Sequence, residues 1–281
     1  MGLEGCETKK SFVRKKNFFY LYALILQNKS MTPRTQKLID SMIAAGDDIQ
    51  REVLMHFFKT GEGDYGEGDE FLGLKNPQTR AFVKQYQDLD LDEIQCLVDS
   101  KYHEIRLCGF LILVEKYHKL QSARLVNDVN SMAERDGIID FYINNSKRAN
   151  NWDLVDLSAP KLIGNWMVER TIVQLPEKED IVQQLAESDN LWQQRISMVF
   201  TWMTSRHNMP EYALRYAQLH LRHPHDLMHK AVGWMLRELG KCCGMDILRD
   251  FLADHRSQMH RTTLRYAIEK MDEKERQYWM T

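Results

Sequence analysis

Residues 219–234, Leu219-His220-Leu221-Arg222-His223-Pro224-His225-Asp226-Leu227-Met228-His229-Lys230-Ala231-Val232-Gly233-Trp234, read as the end of one helix, a polar turn around Pro224, and the opening of a second helix. The same plan recurs elsewhere. Leu185-Ala186-Glu187 leads to Arg195-Ile196-Ser197-Met198-Val199, and Leu252-Ala253-Asp254 leads to Arg261-Thr262-Thr263-Leu264-Arg265. Further upstream, Leu97-Val98-Asp99 leads to Arg106-Leu107-Cys108-Gly109-Phe110. The last three units begin at 185, 219 and 252, a spacing of 34 and then 33 residues. A unit of that length is one helix pair, and a lone helix pair cannot bury its apolar face.

Stacked pairs bury it, so the expected fold is all-α, a HEAT-like or ARM-like α-α superhelix with a concave cleft. From Pro33 onward the apolar spacing of three and four predicts helix after helix, including 121–134, 137–146, 151–166, 168–174, 178–187 and 190–205. Gly61-Glu62-Gly63-Asp64-Tyr65-Gly66-Glu67-Gly68-Asp69 stands apart as a flexible, solvated loop. Small residues at Gly109 and Gly233 predict close helix packing.

In every unit a basic residue opens the second helix: Arg106, Arg195, Lys230 and Arg261. A cation there opposes the helix dipole, so helix optimisation does not explain it. Stacked in register, the four make a track for phosphate oxygens, with Arg265 one turn beyond Arg261; the competing reading is an ion pair to an acid of the next repeat. Trp234 follows Lys230 by four residues and points the same way. Asn150-Asn151-Trp152-Asp153-Leu154-Val155-Asp156 opens another helix, with Trp152 and Asp156 on one face. An indole beside a carboxylate suits the stabilisation of a positive charge, although core Trp and a dipole-complementing Asp are the plainer reading.

Composition narrows the classes. The formal net charge of −2 divides into +5 over residues 1–35, −11 over 36–190 and +4 over 191–281, and seven of the ten His fall in the last segment. Five Cys without CxxC spacing indicate a reduced, cytoplasmic protein without structural zinc. His220, His223, His225 and His229 read as solvated or phosphate-facing rather than as metal ligands. Phosphate-binding Gly loops, HExxH, GxSxG and dinucleotide fingerprints are missing from the sequence. The basic stretch 9–16 and apolar run 18–26 outline a signal peptide, but the run is too short to span a bilayer. Residues 1–30 are therefore read as an extension. The domain is expected over 31–281, with Thr32 and Pro33 starting its first helix.

Four segments together resemble the DNA alkylation repair family of bacterial HEAT-like-repeat DNA glycosylases (AlkD-like). They are Phe71-Leu72-Gly73-Leu74-Lys75-Asn76-Pro77-Gln78-Thr79-Arg80, Asn151-Trp152-Asp153-Leu154-Val155-Asp156, Asp189-Asn190-Leu191-Trp192-Gln193-Gln194-Arg195 and Lys230-Ala231-Val232-Gly233-Trp234-Met235-Leu236-Arg237-Glu238. The resemblance implies Asp156 as the catalytic carboxylate, Trp152 and Trp234 as cleft tryptophans, and Arg195 as a basic neighbour that contacts the DNA backbone. It also places Phe57 at an aromatic position that completes the cleft, with Phe where the family has Tyr. The implied partner is double-stranded DNA containing alkylated purines, with no cofactor, no metal, no membrane and a monomeric state. The implied activity is a monofunctional glycosylase releasing 3-methyladenine and 7-methylguanine. The alternatives are a non-catalytic HEAT-like protein that recognises distorted or branched DNA, and a helical scaffold for a protein partner.

Overall fold

A computed structural model describes residues 31–173 and 179–281. The expected 1–30 extension, residue 174 and the start of the helix expected at 178 lie outside the described residues. The helices are α1 Pro33–Ala44, α2 Asp48–Phe57, α3 Asn76–Gln85, α4 Leu91–Val98, α5 His103–Leu120, α6 Val129–Asn144, α7 Trp152–Ser158 and α8 Asn165–Val173. They continue as α9 Glu179–Ala186, α10 Leu191–Val199, α11 Thr201–Arg206, α12 Glu211–His220, α13 Asp226–Cys243, α14 Met245–His255, α15 Arg261–Ala267 and α16 Glu273–Met280. Apart from one isolated bridge between Glu70 and Tyr102, the described residues form no β-structure.

The expected helix-pair repeat is present. Its junctions fall between α4 and α5, α9 and α10, α12 and α13, and α14 and α15. The second helices form one continuous layer: α3 packs on α5, α5 on α7, α7 on α10, α10 on α13 and α13 on α15. At its centre, α5 is apolar on nearly every face and buries Ile105, Leu107, Phe110, Leu111, Ile112 and Leu113. A helix of that pattern must be enclosed, and α3, α4, α6 and α7 enclose it. Gly109 and Gly233 allow the close approaches: a Cβ at Gly233 would lie 2.4 Å from Thr263 O on α15, and one at Gly109 would lie 3.0 Å from Val98 Cγ2 on α4.

Local chemistry sets the helix starts. Thr32 Oγ1 accepts from Thr35 N at 3.1 Å with Pro33 in the first turn, as the sequence predicts. Two expected helices, 121–134 and 137–146, are replaced by turns over 121–128 and the single helix α6. Asp128 is the reason, since its carboxylate accepts from Ser131 N at 2.8 Å and starts the helix there, while Gly137 is carried inside it. The expected helix 151–166 is interrupted. Pro160 has no N–H to give, and Gly164 N reaches back five residues to Ala159 O at 3.0 Å, forming a π-turn over Pro160–Gly164.

Candidate DNA-processing site

The site grows from the first turn of α7. Asn151 caps it, its side-chain oxygen accepting from Trp152 N at 2.8 Å. Trp152 stacks on Phe58 at 5.3 Å between ring centroids and meets the edge of Phe57 at 5.9 Å. Phe57 is 58% exposed at the end of α2, where the resemblance places a cleft aromatic. One turn beyond Trp152, Asp156 faces α10. Arg195 donates to it through Nε at 2.9 Å and Nη2 at 2.8 Å, and through Nη1 to Leu227 O at 2.6 Å. The Asp156 side chain remains 15% exposed. Burial pushes its pKa above the usual carboxylate range, Arg195 pulls against that, and Asp153 adds to the rise.

Two cavities meet at these residues. One, of about 600 Å³, is lined by Asp156, Trp152, Trp234, Phe57 and Phe58, with His103 and Glu104 behind them. The other, of about 550 Å³, is lined by Phe57, Tyr65, Trp152, Arg195, Lys230, Trp234, Arg237 and Tyr266. Trp152, Trp234 and Phe57 border both. One cavity therefore holds the carboxylate and an apolar wall, while the other holds cations and aromatic rings. Lys230 and Trp234 share a face of α13, as their spacing predicts, and Lys230 pairs with Asp226 at 2.7 Å.

The expected phosphate track needs correction. Arg106 is 4% exposed. It pairs with the buried Asp69 and donates to Ser100 O at 3.0 Å and Lys101 O at 2.9 Å, so it holds the fold and cannot meet a phosphate. Arg195 is also buried in its ion pair with Asp156, but its guanidinium borders the cationic cavity. Arg261 and Arg265 are exposed on α15, outside both cavities. Nor are the four in register: Arg195 and Lys230 stand fifth in their helices, as Arg265 does, whereas Arg106 stands fourth and Arg261 first.

The histidines are not generally solvated either. His220 is buried against Ser197 Oγ at 3.0 Å, and burial pushes its pKa down to about 4. His229 is buried and stacks on His260 at 4.0 Å. His223 Nδ1 accepts from His225 N, and His225 Nδ1 accepts from Leu227 N to cap α13. An accepting Nδ1 requires a neutral ring, in keeping with the lowered pKa that burial gives both.

Sequence reasoning missed the support beneath the site. His103 Nδ1 lies 2.9 Å from Asp69 Oδ2 and its Nε2 lies 2.9 Å from Asp153 Oδ2. Burial opposes charge on the ring, but the two carboxylates outweigh it and raise the pKa to about 9, leaving an imidazolium. Glu104 accepts from the backbone N–H groups of Leu72, Gly73 and Leu74 at 2.9–3.0 Å. The Gly-rich loop is consequently fixed and not merely solvated, and it delivers Tyr65 to the cleft. Only the isolated aromatic among glycines and acids hinted at this in the sequence.

Among the described residues, no helix is long and apolar enough to cross a membrane, and no group of three or more His, Cys, Asp or Glu is arranged to hold a metal. No functionally curated protein matches the chain. A solved structure of a predicted DNA alkylation repair enzyme from Enterococcus faecalis shares the fold, with a TM-score of 0.61 at 14% identity over 81% of this chain and 97% of that one. The family model for the DNA alkylation repair enzyme matches residues 38–271. With that match spanning nearly all the stacked helices and both cavities, the chain belongs to the DNA alkylation repair enzyme family.

Proposed function

We propose that the protein is a monofunctional, cytoplasmic DNA glycosylase that hydrolyses the N-glycosidic bond of cationic N3- or N7-alkylated purines in duplex DNA. The observation that carries this reading is Asp156 in a cavity bordered by Trp152 and Trp234, beside a second cavity lined by Arg195 and Lys230. An alkylated purine such as 7-methylguanine is already positively charged. When its bond to C1′ breaks, the electron pair goes to the base, which leaves neutral and needs no general acid. Positive charge then develops on the deoxyribose. An ionised Asp156 stabilises that charge and orients a water, whose oxygen bonds to C1′ and whose proton passes to the carboxylate or to solvent.

Magnitude supports a labile substrate only. A carboxylate about 4 Å from a developing unit charge contributes about 4 kcal/mol at an effective dielectric near 20, roughly a thousandfold in rate. Arg195, bonded to the same carboxylate, offsets part of this. The indole faces of Trp152 and Trp234 add cation–π attraction of about 0.5–2 kcal/mol. That total suits a base that is already a cation and falls short for a normal purine. The groups lining the second cavity suit a phosphodiester backbone, with Lys230 and Arg195 as cations and Tyr65 and Tyr266 as rings.

The test is incubation with duplex DNA treated with N-methyl-N-nitrosourea, followed by chromatography of the released bases. Free 3-methyladenine or 7-methylguanine supports the proposal. DNA binding without base release leaves the protein as a non-catalytic reader of distorted DNA.

A further inference from the structure

The loop between α2 and α3 is the least probable place to find a cleft residue. Its glycines and acids favour solvent, and ordering glycines costs more backbone entropy than ordering other residues. Yet the loop is tied down by consecutive turns. Asp64 N donates to Gly61 O at 3.1 Å, Gly66 N to Lys59 O at 3.0 Å, Glu67 N to Asp64 O at 3.1 Å, and Asp69 N to Gly66 O at 3.1 Å. Gly66 lies so close to the end of α2 that a Cβ there would be 2.5 Å from Phe58 O. Asp69 anchors the far end between His103 and Arg106.

The side chain so positioned is Tyr65. Its ring meets the edge of Trp192 at 6.1 Å and of His225 at 6.4 Å, so it reaches from the N-terminal helices across to α10 and the cap of α13. Trp152 and Lys230 line the same cavity as Tyr65. A phenol has one proton to donate, and an anionic or ether oxygen can only accept, so the Tyr65 hydroxyl suits such an oxygen entering that cavity. The space beside it is the cavity lined by Arg195 and Lys230.

We propose that Tyr65 is a substrate-contacting residue of this cleft, donating its phenolic proton to a phosphate or deoxyribose oxygen of the bound strand. This rests on DNA as the occupant of the cleft. A tyrosine that only filled space would be replaced by phenylalanine at no cost. A tyrosine that bonds a phosphate oxygen would not.

The experiment uses the full chain and a duplex carrying a tetrahydrofuran abasic analogue, with Kd measured by fluorescence anisotropy over a range of KCl concentrations. Tyr65→Phe is expected to weaken binding about tenfold, the size of one lost hydrogen bond to a charged group. The slope of log K against log[KCl] stays unchanged, because no charge is lost. Lys230→Gln, run beside it, lowers that slope by about one. The proposal is overturned if Tyr65→Phe binds as the wild type does, if its salt slope falls as for Lys230→Gln, or if its weaker binding comes with a matching fall in Tm. Base release by the wild type is scored separately. Wild-type binding without release removes the glycosylase reading and leaves the Tyr65 contact to be judged on affinity; no wild-type binding to DNA removes both.

Discussion

Replacing His103 by Gln tests the support beneath the site quantitatively. His103 is buried as an imidazolium between Asp69 and Asp153, with a pKa raised to about 9. In the unfolded chain a histidine titrates near 6.5. A group whose folded pKa is raised contributes its full stabilisation below the unfolded value and loses it as pH rises through the folded value. The window is therefore about pH 6.5 to 9. The difference corresponds to about 3 kcal/mol, which for a chain of this size is roughly 6–12 °C in Tm. Thermal melts of the wild type and His103→Gln, taken at intervals from pH 6 to 10, isolate the effect, because the remaining groups titrate in both proteins. The wild type is expected to be clearly more stable than the variant at pH 6, with the gap closing by pH 10. A gap that stays constant across that range would refute the reasoning. Because Asp153 lies in the first turn of α7, base release by the wild type should decline as pH rises through about 9, where the folded His103 loses its proton.

Arg195→Gln removes the charge that opposes the rise in the Asp156 pKa. The acid limb of the pH–rate profile for base release should move up by about 1–3 pH units, in proportion to the loss of a neighbouring opposite charge. An unmoved limb means that Asp156 is not the group titrating. Arg106→Ala separates the buried cation from a phosphate track: it should cost about 3–5 kcal/mol of stability by leaving Asp69 short of a partner, with the salt slope of DNA binding unchanged. A salt slope lowered at constant Tm would restore Arg106 to the DNA-binding surface.

The fold was legible because its units repeat. The spacing of Leu185, Leu219 and Leu252 located three helix pairs, although Leu219 is 48% exposed where Leu185 and Leu252 are buried. Trp152, Asp156 and Trp234 could be grouped because helix spacing and the four quoted segments fix them. What failed depended on distant partners. Arg106 and Lys230 both lie in the second turn of their helices, yet one meets Asp69 from a loop 37 residues upstream and the other pairs with Asp226 of its own helix. The Lys230 pair is local and readable from spacing, whereas nothing near Arg106 in sequence points to Asp69. Tyr65 and His103 were illegible for the same reason, because a glycine-rich loop announces freedom and only the Asp69 ion pairs reveal that it is held.

The most direct measurement is single-turnover release of 7-methylguanine by Asp156→Asn, with duplex binding and Tm recorded for the same preparation. The account predicts release slower by about a hundredfold to a thousandfold, with Kd within about threefold of wild type. Release at the wild-type rate would contradict it, since no carboxylate would then remain at position 156 to stabilise the sugar cation.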